Sequence, residues 1–138
     1  MENKLTLTTG DIRYQLVNEY GENIGVLQFN PVDIDILNRF DKVQEHFMTL
    51  KYPSNLTLEQ IFDLTDDIKE QFDYLLNRKV SEQLFDKCNP LSPLPDGSFF
   101  FVSVLEKIAQ IIKEQADERT EIFNKKIEKA IADIPTIE

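Results

Sequence analysis

Three sets of side chains in this sequence are of types that could do chemistry. The pairs Asp63/Asp67 and Asp66/Glu70 stand one helical turn apart, where two carboxylates can share a divalent cation or trade a proton. His46 is the single histidine, with Glu45 beside it, and Cys88 is the single cysteine. Their surroundings do not build a reaction centre. The acids lie opposite an apolar stripe, as on any solvated helix face, and no glycine stands where an Asp-rich calcium loop needs its sharp turn. One histidine has no second ring to complete a metal site, so His46 reads as a surface or boundary residue. Cys88 is followed by Asn89 and Pro90 and has no histidine near it in sequence, so it reads as a small buried hydrophobe. No serine has a nucleophile-elbow context, and no glycine-rich loop could cradle a nucleotide. The expectation is a protein without catalytic residues, metal or cofactor, which acts by binding.

Bulk properties narrow the partner. A chain of 138 residues has the length of one domain and can bury its own core. Its 41% hydrophobic and 29% charged residues are ordinary for a folded protein. A net charge of −10 repels nucleic-acid backbones and anionic lipid, and no basic run extends beyond Lys125-Lys126. A single cysteine forbids an internal disulfide, the N-terminus lacks the apolar core of a signal peptide, and no stretch reaches membrane-spanning length. Together these predict a cytoplasmic protein that binds neither nucleic acid nor membrane.

The elements that must position any binding surface are mostly helical. The first thirty residues read as strand. Leu5-Thr6-Leu7 alternates; Ile12, Tyr14 and Leu16 share a face; residues 19–23 supply a turn; and Ile24 to Phe29 forms the return strand. A lone hairpin is marginal, so its apolar face needs cover, and its edges could pair with another copy of the chain. Asn30-Pro31 predicts an N-cap and first helical position, with Ile36, Phe40, Val43, Phe47 and Leu50 as the stripe and Lys51-Tyr52-Pro53 as the stop. Thr57 and Gln60 form a capping box before Leu58, Ile61, Phe62, Ile68, Phe72, Leu75 and Leu76. Helices are thus expected near 31–51, 57–78 and 81–87. The predicted core includes Phe40, Phe47, Ile61, Ile68, Phe72, Leu75, Phe101, Leu105 and Ile108.

The last third decides the functional expectation. Pro90, Pro93, Pro95 and Asp96-Gly97 forbid a helix, after which nothing interrupts one until Pro135. A helix from about Ser98 to Asp133 would run roughly 50 Å, longer than a small domain is wide. Its apolar positions fall in two blocks around the polar run Lys113 to Glu121: Phe101 to Ile112, then Phe123, Ile127, Ala130, Ile131 and Ile134. The expected organisation is a hairpin plus helical body over 1–112 and a helical extension over 113–138. The second block either bends back to complete the core or offers a seam to a partner helix or a second copy. The favoured reading makes these five residues the partner contact, so that Phe123→Asp or Ile127→Asp would weaken association and spare the fold.

Several residue groups also resemble a known family when taken in order. Phe29-Asn30-Pro31 leads from a strand into an acidic-capped helix, and Ile68 to Leu76 reads IKEQFDYLL. Leu84-Phe85 and Asn89-Pro90-Leu91 precede Asp96-Gly97, which opens directly into the aromatic-rich segment Phe99-Phe100-Phe101. This order is similar to that of small tail-morphogenesis proteins of tailed bacteriophages and prophages, described as tail assembly chaperones. The resemblance spans roughly Leu27 to Lys126, and the Lys-Tyr pair common at the family's C-terminal end stands here as Lys125-Lys126. It implies a protein that binds the long helical tape-measure protein, and through it meets the tail-tube protein, keeping the former soluble until the tube assembles around it. A homo-oligomer is compatible with that role. Two other classes fit the same composition: a structural or completion component of the tail or head–tail junction, and an acidic host-directed regulator such as a DNA mimic.

Overall fold

The computed structural model describes residues 2–50 and 55–134, with backbone alone at residues 122–124. Among them lie β1 (Ile12–Val17), β2 (Asn23–Phe29), α1 (Asp35–Thr49), α2 (Leu58–Leu76), α3 (Ser81–Leu84), α4 (Phe100–Arg119) and α5 (Glu121–Ala132). This is the expected mainly helical α+β arrangement with an N-terminal hairpin.

β1 and β2 pair antiparallel from Ile12↔Phe29 to Val17↔Asn23, with an irregularity at Leu16/Val17. The turn is built by Asn18, whose side-chain oxygen accepts from the Tyr20 and Glu22 N–H groups at 3.0 Å each. Leu27 and Phe29 are buried, so the inner face of the ribbon is the lid of the helical core that an isolated hairpin requires. The Leu5–Leu7 segment does not join the sheet, and Gly10 between it and β1 adopts φ 90°.

Helix α1 begins at Asp35, later than Asn30-Pro31 suggests. Short polar side chains capture local N–H groups first: Asn30 Oδ1 accepts from Val32 N at 3.1 Å, and Asp33 Oδ1 from Asp35 N at 3.1 Å. Such Asx turns compete with helical hydrogen bonding and delay the helix. The predicted stop at Lys51-Tyr52-Pro53 lies outside the described residues; the helix itself ends at Thr49. Helix α2 starts on the predicted box, Gln60 N donating to Thr57 Oγ1 and Thr57 N to Gln60 Oε1. It closes with Asn77 in the left-handed region (φ 52°), which suits asparagine.

α3 is shorter than expected, a single turn held from outside itself. Asp73 of α2 accepts from Val80 N and Ser81 N, both at 2.8 Å, and from Ser81 Oγ at 3.0 Å. Between α3 and α4 the proline-rich segment makes a tight turn, where Leu94 N bonds Ser98 O and Gly97 adopts φ 88°. Asp96 Oδ1 accepts from Ser98 N and Ser98 Oγ, and these bonds hold its carboxyl below the ordinary value.

Phenylalanines link the layers: Phe47 of α1 lies 6.3 Å from Phe72 and 5.2 Å from Phe101, and Phe72 meets Phe85 edge-on at 5.1 Å. Every predicted core residue is buried except Ile61, which is half-exposed. Leu58 and Phe62, expected on the same stripe, are 71% and 59% exposed.

Candidate partner-binding site

The single long helix expected from Ser98 to Asp133 does not form. At Thr120 the backbone turns extended (φ −165°, ψ 130°), separating α4 from α5. The β-branched threonine tolerates that conformation well. Burial explains why the break is favoured. A continuous helix would leave the second apolar block in water, whereas the break lets α5 lie back along α4 and against α1. Ile127 becomes fully buried, Ala130 is 6% exposed, and Ile131 and Ile134 pack half-buried against the same core. Phe123 is among the positions whose side chains lie outside the description.

The surface that α5 covers is an apolar groove. On α4, Ala109, Ile112 and Ala116 are all fully buried, and small residues there allow close helix approach. From α1, buried Gln44 reaches across, its Nε2 donating to Ala130 O at 2.7 Å. Among the described residues its Oε1 has no hydrogen-bond partner. No side chain among the described residues caps the N-terminus of α5, and Lys113 of α4 reaches Glu128 at 3.4 Å from a partly exposed position. Lys113 is shared with Asp117 at 3.7 Å, and exposed pairs of this kind contribute little.

Of the five residues singled out from sequence, the four whose side chains are described, Ile127, Ala130, Ile131 and Ile134, pack inward in this conformation. Ile127 and Ala130 face the chain's own core, and reach a partner only when α5 leaves its groove. The expectation that Ile127→Asp spares the fold conflicts with this burial, because a carboxylate at that point would be buried and unpaired. Polar groove-facing Gln44 was not singled out; its place among Phe40, Val43 and Phe47 on the α1 stripe was the available signal.

Other candidate chemistry resolves into structure. His46 Nε2 lies 2.7 Å from Asp67 Oδ2, tying α1 to α2 at a partly exposed position. Asp63, Asp66 and Glu70 are exposed, and among the described residues no group of three or more His, Cys, Asp or Glu side chains could hold a metal ion. Cys88 is half-exposed rather than buried, since it sits in the loop outside the core. A cleft of about 160 Å³ opens beside Asp11, Asn30, Asp33, Arg39, Asn77 and Arg78, below the size of ordinary ligand pockets. Its arginines already have partners. Arg39 donates to Leu75 O at 2.8 Å and Asp33 at 3.3 Å, and Arg78 to Asp11 at 2.9 Å and Gln28 O at 3.3 Å. Gln28 and Arg78 hold the Asp11 carboxyl below its ordinary value, against a smaller opposing effect of burial. This network clamps the hairpin to the helical body.

No helix among the described residues is long and apolar enough to cross a membrane. Compared with known proteins, the chain matches no family model, no curated protein and no solved structure.

Proposed function

We propose that this chain is a tail assembly chaperone, working in the cytoplasm of a bacterial host, and that it receives an apolar helix of the tape-measure protein in the groove now covered by α5. The observation that carries the reading is the groove itself. It is lined by apolar and small residues of α1 and α4 and already holds one amphipathic helix. A groove complementary to one amphipathic helix is suited to another. Displacing α5 exposes the α4 stripe to the partner and frees Ile127, Ala130, Ile131 and Ile134 to pack on it as well. The resemblance of Leu27 to Lys126 to the tail assembly chaperones names the partner class. Acidity suits the role: a net charge of −10 keeps the protein and its apolar cargo dispersed, and a screened electrostatic contribution is easily outcompeted when tail-tube subunits arrive.

The test is co-expression of the full chain with the tape-measure protein of the same genome. In parallel, Lys113→Cys and Glu128→Cys in a Cys88→Ser background allow α5 to be locked down by a short thiol crosslinker. Soluble capture by the unlocked protein, lost on locking, supports the reading. Capture by both forms removes the groove from the account, and capture by neither removes the chaperone role. Recovery of the chain in mature particles would favour the structural component instead.

A further inference from the structure

The hairpin has one covered edge and one bare edge, and hydrogen bonds at β2 establish which backbone groups are bare. On β2, Val26 N donates outward to Gln83 Oε1 of α3 at 2.8 Å, and Gln28 O accepts from Arg78 on the same outer side. Val26 and Gln28 are therefore turned away from β1, so Gln15↔Val26 and Arg13↔Gln28 are non-hydrogen-bonded couples. It follows that the N–H and C=O groups of Arg13 and Gln15 point out from the free edge of β1. The inner face is unfinished on that side too. On β2, Leu27 and Phe29 are buried, but on β1 Ile12, Tyr14 and Leu16 are only half-buried.

The same molecule carries a segment with complementary needs. Residues 2–9 form neither helix nor strand and are exposed, Leu5 and Leu7 at 85% and 71%, with threonines at 6 and 8 between and after them. Among the described residues no hydrogen bond reaches residues 2–8. As a strand, this arm would set Leu5 and Leu7 on the face of Ile12, Tyr14 and Leu16, and its threonines beside Arg13 and Gln15. It cannot do so on its own β1. Its root is anchored beside that strand: Asn30 Nδ2 donates to Thr9 O at 2.6 Å, Arg119 Nη1 to Gly10 O at 3.4 Å, and Asp11 holds Arg78 and Gln28. Doubling back at Thr9–Gly10 would break the Asn30 and Arg119 bonds to this segment.

We infer that the N-terminal arm of a second copy of this chain adds to the bare edge of β1, and that two copies exchange arms reciprocally into a dimer with three-stranded sheets. Reciprocity closes the assembly, because each copy gives one arm and one edge. Main-chain bonds supply the affinity and the two leucines the register. This surface lies on the hairpin and is independent of the groove under α5.

The experiment is light scattering of the full chain across micromolar concentrations, beside Leu5→Asp/Leu7→Asp and Gln15→Pro. The arm variant touches nothing in the core. The proline removes only an outward N–H, a position at which an edge strand tolerates it. The expected result is a mass twice the 16.1 kDa of the chain for the wild type. Both variants should show the single-chain mass, with the arm variant keeping wild-type thermal unfolding. A wild type that remains monomeric overturns the inference, as does a dimer that survives either variant.

Discussion

Ile127→Ala is the perturbation that asks most sharply whether α5 belongs to the core. Ile127 is completely buried between α5, α4 and α1. Truncation to alanine removes three carbon groups, a transfer loss of about 2.4 kcal/mol at about 0.8 kcal/mol each. The cavity left behind adds to this, for a total of about 3–4 kcal/mol. In a domain of this size each kcal/mol moves the unfolding midpoint by about 3 °C, so a fall of about 10 °C is expected. A ceiling also applies. Twelve residues of helix do not persist alone, so if α5 docks by less than that amount it detaches and melts while the rest stays folded. The assay is thermal unfolding followed by circular dichroism, with Ile131→Ala as comparison. Ile131 is half-buried, so its loss should be about half as large. An Ile127→Ala protein melting with the wild type would refute the docked position of α5.

The remaining predictions probe individual contacts. Gln44→Met removes the unpaired Oε1 and leaves Ala130 O with its other donor, Asp133 N, so stability should be unchanged or higher. Gln44→Glu sets a buried carboxylate against that carbonyl and should cost about 3 kcal/mol, both read by urea unfolding. Asp73→Ala deletes three bonds to α3 and should cost about 2–3 kcal/mol, with faster amide exchange at Val80 and Ser81 as its local signature. Tyr14 titrates above its ordinary 10.0, first because of burial and then because of Glu114 and Glu118, which outweigh Arg119. A raised value means the neutral phenol is favoured in the fold, so that stability is complete below pH 10 and is lost as pH rises through the folded value. Ultraviolet difference titration should show Glu114→Gln moving Tyr14 part of the way back; no movement would exclude the carboxylate's share.

Local chemistry made much of the fold legible. The Thr57/Gln60 box placed α2, the alternation of Ile12, Tyr14 and Leu16 placed the inner face of β1, and Asp96-Gly97 marked the turn before α4. What local chemistry does not encode is competition between two satisfactory states. The apolar blocks on either side of Lys113 to Glu121 continue in nearly the same helical phase, so periodicity alone supports an unbroken helix. The break at Thr120 is decided by burial of Ile127 and Ala130, a tertiary gain invisible to a window of neighbours. The late start of α1 has the opposite cause, since the Asn30 and Asp33 side chains capture N–H groups that the N-cap reading assigned to a helix. Leu58 and Phe62 show the limit of a stripe: they have helical spacing but stand exposed. For the candidate site, the apolar character of the last helix was legible. The sequence leaves open whether that face bends back on its own core or meets a partner, because the pattern of apolar positions is the same in both cases.

The central claim is that a partner helix takes the place of α5 in the groove between α1 and α4. Amide hydrogen exchange, on the protein alone and bound to a tape-measure segment, tests it most directly. The account predicts that residues 121–132 lose protection on binding while α4 keeps or gains it. Unchanged or greater protection of α5 in the bound protein would contradict it.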